Sequence, residues 1–463
     1  MTDKALCIHG HFYQPPREDP CTGEIPPEPG AEPFANFNEK INAECYRPNA
    51  ELGNFELLSF DLAPTLADWL EGHDPTTHRR IVEADRRNVE TYGVGNAIAH
   101  PYYHIILPLA SRRDKETQVA WGIADFRHRF GRRPEGMWLP EMAVDYETLE
   151  VLAAHGIAFA ILSSHQARGV EGAGPYAVSL PKGLKITILI RDEGLSGCLA
   201  FDTQATEDAH RFVEQHLANF RDEFILLALD GETFGHHHRG RERFLHHLLH
   251  KEAHQAGYEV TFPARYLREH PPKAEVEIVE RTSWSCPHGL ARWREGCSCT
   301  QGPSDWKVHL RLAFDHLAEK VDVLYRDEVK GAVGDPWRLR DDYIRVMLGE
   351  VGGRAFLAEH ARGNLTEAQA ERILTLLEAQ RYRQAMYTSC AFFFEDLDRL
   401  EPRYNIANAA KAIQLVEEVT GVSLEESFKR DLRLAVSWIT DRTGEDIYNE
   451  IMSVASKRGD DLR

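Results

Sequence analysis

An α/β chain is what the sequence predicts, with strands and helices alternating over residues 1–303 and helices alone over 304–463. Three observations carry this. Apolar runs of four to six residues punctuate the first part, each ending in polar or charged residues. Helix-like stretches lie between those runs. Beyond residue 304 only long helical periodicity is found.

The runs come first. Residues 5–8 lead into His9 and His11, 157–162 into Ser163 and Ser164, 186–190 into Arg191 and Asp192, and 224–229 into Asp230 and Glu232. Continuous apolar runs of this length fit strands covered on both faces. The intervening stretches 115–130 and 146–155 have helical patterning, and strand–helix alternation predicts a parallel sheet. In a parallel barrel the loops after the strands gather on one face and build the site, and reactive residue types occur at those positions. In the second part, Thr366 and Gln369 form a capping box. Ala370, Ile373, Leu374 and Leu377 then share one helical face, as do Ala409, Ala412, Ile413 and Val416. The proline-rich stretch 15–33 reads as an irregular loop, and residues 391–394 (AFFF) as a packing surface.

Composition narrows the function. At 463 residues the chain exceeds one ordinary core. Its 43% hydrophobic and 27% charged content is that of a soluble globular protein. A formal net charge of −19 argues against nucleic acid and fits a neutral substrate. No signal peptide, membrane span or disulfide-dense pattern is visible, so a reduced, cytoplasmic protein away from membranes is expected.

Five segments hold the chemistry: IHGHFYQPP, HPYYHIILPL, GMWLPEMAVD, LALDGETFGHHH and ERTSWSCPHGLARW. They contain His9, His11 and Gln14; His104; Trp138 and Glu141; Asp230, Glu232 and His236; and Glu280, Trp284 and Trp293. In this order they resemble the five sequence regions of glycoside hydrolase family 57. ILIRDEGLSGCLAF, with Arg191, Asp192 and Ser196, resembles that family's connecting strand and loop. MYTSCAFFFEDLDRLEP resembles the helical extension of one poorly characterised branch. The first region departs from the family's His-x-His-Gln-Pro, because Phe12 and Tyr13 separate His11 from Gln14.

The resemblance implies a (β/α)7 barrel over residues 1–303, a helical domain over 304–463, and retaining chemistry on α-glucans or malto-oligosaccharides. It implies no cofactor and no catalytic metal, with Glu141 as nucleophile and Asp230 as general acid/base. His9, His11, His104, Trp138, Arg191, Glu232, His236, Trp284 and Trp293 are the expected substrate contacts. Glycoside cleavage needs two carboxyls flanking the scissile bond, and the acid must hold its proton. Glu232, two residues after Asp230, would share its face on a continued strand and raise its pKa. The histidines would donate to sugar hydroxyls without carrying charge, and the aromatic rings would stack on sugar C–H faces.

Two other readings compete. Metal-dependent action on sugars, as in α-mannosidases or polysaccharide deacetylases, is suggested by His236, His237 and His238; His246, His247, His250 and His254 read mostly as a solvated helix face. A glucan-binding protein with a dead site is the other, against which Glu141 and Asp230 speak. Cys286, His288, Cys297 and Cys299 form a further cluster, open to structural zinc, a disulfide or, foremost, free thiols; Cys297 and Cys299 are closer than the usual zinc spacing. The sequence does not choose among hydrolysis, transfer and branching, and it assigns no oligomeric state.

Overall fold

The computed structural model describes residues 4–218, 220 and 222–461, with side chains through 454. It divides into two compact units that are each discontinuous in sequence. The first comprises residues 1–14, 27–102 and 126–284; the second comprises 15–26, 103–125 and 285–463.

The first unit is a closed ring of parallel strands. β1 (Lys4–Phe12) pairs with β2 (Ser59–Leu62) on one side and β6 (Phe224–Asp230) on the other. β2 pairs with β3 (Ala97–Ile98). Next come single bridges from Ala99 to Met137 and from Gly136 to Phe159. β4 (Phe159–Ser163) pairs with β5 (Lys185–Arg191). The ring closes where the Asp192 N–H donates to the Leu226 carbonyl at 2.7 Å. Counting the 136–137 segment, this is the seven-stranded parallel barrel that was expected. The apolar runs make its wall: Leu6, Ile8, Ile161, Ile188, Leu226 and Leu227 are all buried. Register brings the ends of the strands together, with His11 opposite both Asp61 and Asp230, and Ser163 opposite Arg191.

The helices follow the sequence closely. Those at Tyr146–Ala154 and Arg112–Phe130 fall on the stretches read as helical. The short β2 and β3 and the bridge at 136–137 escape that reading, because two to four residues give no periodicity to detect. Residues 13–36 hold neither helix nor strand.

The second unit is helical, built on Trp306–Val329, Glu367–Ala385 and Leu400–Thr420. The Thr366–Gln369 capping box is present in both directions. Ala409, Ala412, Ile413 and Val416 are buried, as are Ala391 and Phe392 of the AFFF run. A buried ion network ties this unit together. Asp114 meets Arg383 at 2.9 Å and Arg340 at 3.2 Å, and Asp322 meets Arg383 at 2.9 Å. Removing one partner of a buried network leaves uncompensated charge. Asp114→Ala is therefore expected to cost about 3–5 kcal/mol, read as a lower midpoint in urea. Among the described residues, no helix is long and apolar enough to cross a membrane.

Candidate active site

Glu141 follows the 136–137 bridge, on a 3-10 turn over Pro140–Met142. Its backbone is left-handed, with φ 57° and ψ 19°, and Met142 follows at φ 47°. Non-glycine residues rarely adopt this region, and it persists only where the surroundings impose it. Here the chain segment 281–284 does so. The Trp284 N–H donates to the Glu141 carbonyl at 3.0 Å, and the Arg281 N–H to the Val144 carbonyl at 2.7 Å. Gln166 Nε2 donates to the Met142 carbonyl at 2.7 Å. The side chain is fixed as well, since Trp284 Nε1 donates to Glu141 Oε2 at 3.1 Å.

Trp284 is half-buried and central. Its ring meets Trp138 edge-on at 5.2 Å, and the Arg191 guanidinium lies 4.8 Å over it. Arg191 in turn donates from Nε to Ser163 Oγ at 2.8 Å and from Nη1 to the Ala228 carbonyl at 2.9 Å, which fixes it between β4 and β6. Trp138 stacks on His9 at 4.8 Å and on His11 at 5.1 Å.

Asp61, at the end of β2, accepts from both histidines. His11 Nδ1 lies 2.8 Å from Oδ2 and His9 Nε2 lies 3.1 Å from Oδ1, while His9 Nδ1 meets Ser59 Oγ at 2.9 Å. Burial alone would raise Asp61, but His11 and then His9 outweigh it and hold its carboxyl at about 2. Burial works against charge on His11, yet Asp61, with Asp230 and Glu232 behind it, raises it to about 9. His11 is thus a cation at neutral pH, which corrects the expectation of uncharged histidines. His9 keeps to that expectation, because burial dominates and lowers its pKa.

Asp230 ends β6 with its side chain exposed. The chain turns at once into a 3-10 helix over Gly231–Thr233, so Glu232 does not share a strand face with Asp230. The shift falls on Glu232 itself. Burial, then the charge of Asp230, push it up to about 7. Tyr46 Oη donates to Glu232 Oε1 at 2.7 Å and the Tyr13 N–H to the same oxygen at 3.1 Å. Gln14 is spent on holding Tyr46, with Nε2 donating to its hydroxyl at 3.1 Å. The folded chain therefore keeps a Glu232 proton that the unfolded chain loses between about pH 4.5 and 7. Stability should fall as pH rises through that window. Glu232→Gln keeps an acceptor for both donors and removes the ionisation. Its Tm is expected to exceed that of the parent chain by about 5 °C at pH 8, and to match it at pH 4. Equal Tm values at both pH values would refute the shift.

The remaining expected contacts divide between the two units. His236 Nδ1 meets Glu44 Oε2 at 2.6 Å. His104 and Trp293 belong to the second unit. There His104, with φ 52°, places Nδ1 2.6 Å from Ser389 Oγ. Trp138, Trp293 and His9 are 0% exposed. None offers a face to a sugar, so the expectation of direct contact gives way to packing beneath the site for Trp138 and His9, and in the helical core for Trp293. His247, His250 and His254 are exposed, in keeping with a solvated face. Asp61, Ser59, Tyr46 and Glu44 were missed. Asp61 alone had a signal, an acid near the end of the apolar stretch LLSFDLA.

In the first unit, then, Glu141 and Asp230 follow strand positions on opposite sides of one ring, with Arg191 and Trp284 partly open beside Glu141. Two carboxylates on one ring, with the Arg191 guanidinium over the Trp284 ring, are residue types that displacement at a sugar carbon calls on. Known proteins agree. Residues 78–279 match the model of glycosyl hydrolase family 57, and residues 303–458 match a domain of unknown function, DUF3536. Alpha-amylase 1 of Dictyoglomus thermophilum is 24% identical over 172 residues, which is 36% of this chain and 24% of that protein. The chain thus spans about a quarter of the length of this curated relative. An exo-type maltose-forming amylase from Pyrococcus sp. ST04 superposes with a TM-score of 0.76 at 16% identity, covering 97% of this chain and 88% of that one. A family 57 branching enzyme from Pyrococcus horikoshii gives 0.60 at 14% identity, with 98% and 95% covered. At these identities the likeness is one of fold. Over residues 78–279, which hold much of the seven-stranded ring and its motif segments, the chain is thus similar to glycosyl hydrolase family 57.

Proposed function

We propose that this chain cleaves or transfers α-1,4-glucosidic bonds with retention of configuration, through a covalent glycosyl–Glu141 intermediate. Asp230 protonates the departing sugar oxygen, then takes a proton from the incoming water or sugar hydroxyl. Charged His11 and Arg191 orient the substrate, and Trp284 offers the stacking face. The observation that carries this reading is the fixed Glu141 carboxylate, held by Trp284 Nε1 and by a strained backbone. The match to family 57 over residues 78–279 supports α-glucans as the substrate class, as do the amylases and branching enzyme to which the chain is similar. Residues 1–303 are taken as catalytic and 304–463 as helical, with the cytoplasm as the setting.

The test is a product profile from amylose and a defined malto-oligosaccharide, with Glu141→Gln as control. Shorter sugars with new reducing ends mean hydrolysis. A ladder running both longer and shorter without net reducing ends means transfer, and new α-1,6 linkages mean branching. No turnover of either substrate overturns the α-1,4-glucan reading. Activity lost to a chelator while Tm is unchanged would favour the metal-dependent alternative.

A further inference from the structure

Outside the barrel, three cysteines and a histidine converge in the second unit. Cys286 and His288 come from one turn and Cys297 and Cys299 from another, with the short helix Ala291–Arg294 between them. Their ligand atoms all lie within 4.8 Å of one another. Cys286 Sγ stands 3.6 Å from Cys297 Sγ and 3.8 Å from Cys299 Sγ. His288 Nδ1 lies 3.3 Å from Cys299 Sγ and 4.0 Å from Cys286 Sγ.

These separations discriminate. A disulfide needs sulfurs at about 2.05 Å, well inside the spacing found here. Two thiolates on one tetrahedral zinc, with Zn–S of about 2.3 Å, stand about 3.8 Å apart. A thiolate and an imidazole nitrogen at their usual zinc distances stand about 3.5 Å apart. The two sulfur pairs match the first value and the two sulfur–nitrogen pairs bracket the second. The tight Cys297–Cys299 spacing is no obstacle, because both turns bring their pairs round to the same point.

A second observation concerns charge. Lys307, the second residue of the Trp306–Val329 helix, is fully buried, and its Nζ has no hydrogen-bond partner among the described residues. Arg292 is also buried, with Nε unpartnered in the same sense. Both lie within electrostatic range of Cys297. Buried cations are costly without a counter-charge; Glu395 lies within electrostatic range of Lys307, and protonated thiols add no further negative charge. Zinc binding would: Zn2+ plus three thiols and a neutral imidazole gives a complex of net charge −1 and releases three protons. Lys307 and Arg292 then face an anion.

We propose that Cys286, His288, Cys297 and Cys299 form a structural zinc site that pins the 285–305 segment, whose backbone holds only one four-residue helix. Four protein ligands leave no open position, as expected of a structural rather than a catalytic site. The assignment does not depend on the proposed activity.

Elemental analysis of the untagged full chain, purified without chelator, is expected to find about one zinc per chain. The double variant Cys297→Ser, Cys299→Ser should hold almost none. Stripping the metal should lower Tm by about 5–10 °C, reversed by added zinc. Should the double variant fail to fold, cobalt loading of the parent chain decides, since tetrahedral thiolate cobalt absorbs strongly in the visible. A folded parent chain lacking zinc after dialysis against it, with all three thiols alkylated equally fast with and without the metal, overturns the proposal. So does mass spectrometry showing Cys286 cross-linked to Cys297 or Cys299.

Discussion

Glu141→Gln is expected to lower turnover of an α-1,4-glucan by about 10⁴-fold or more, with Tm within a few degrees of the parent chain. The two expectations separate because the substitution is nearly isosteric. The glutamine carbonyl can still accept from Trp284 Nε1, and the backbone contacts from Trp284 and Gln166 are untouched. What is lost is an anionic oxygen able to bond to the anomeric carbon. Glu141→Ala adds a stereochemical check. With an activated α-glucosyl fluoride and azide, the small nucleophile enters the space left by the carboxylate, on the face opposite the leaving group, and a β-glucosyl azide should form. Activity within tenfold of the parent in either variant would refute the nucleophile role.

Asp230→Asn should behave differently, and the difference identifies the role. Protonation of the leaving oxygen contributes about 10²–10⁴-fold, so turnover of natural glucan should fall by that order. Fluoride needs no proton to depart. With an α-maltosyl fluoride donor the first half-reaction should recover, while the second still lacks its base. A glycosyl–Glu141 species should then accumulate and be visible as an added sugar mass on the intact chain. The same fold-loss with both substrates would show that Asp230 does not act as the acid. Its exposure at the mouth of the ring leaves it within reach of substrate.

Glu141 is singled out by its motif alone, because the 136–137 bridge before it leaves no apolar run, whereas Asp230 stands out because it closes one. Four of the seven strand positions were visible for the same reason: 5–8, 157–162, 186–190 and 224–229 are long enough to show an apolar run. The rest of the ring was not visible, because a strand of two residues such as β3 takes its stability from neighbours and leaves no pattern of its own. The supporting shell was hidden by distance. Asp61 pairs with His9 and His11 across 52 and 50 positions, and Tyr46 with Glu232 across 186. Spacing also misled where it implied a continued strand through Glu232. The chain turns at Gly231, and the burial that follows, rather than a shared face, raises that carboxyl. Burial likewise decided Trp138 and Trp293, for motif membership says nothing about which face of a ring meets solvent.

The interleaving of the two units has a consequence for how the protein is made. Residues 15–26 and 103–125 belong with the helical unit, whose main body begins at Ser285. A ribosome adding about 5–20 residues per second needs on the order of ten to thirty seconds to travel from residue 125 to 285. Through that interval Ile105, Ile106, Val119 and Trp121, all buried in the finished protein, await partners that have yet to be synthesised. A chain truncated after residue 303 would leave them waiting permanently, so chaperone demand and aggregation should mark truncations more than substitutions.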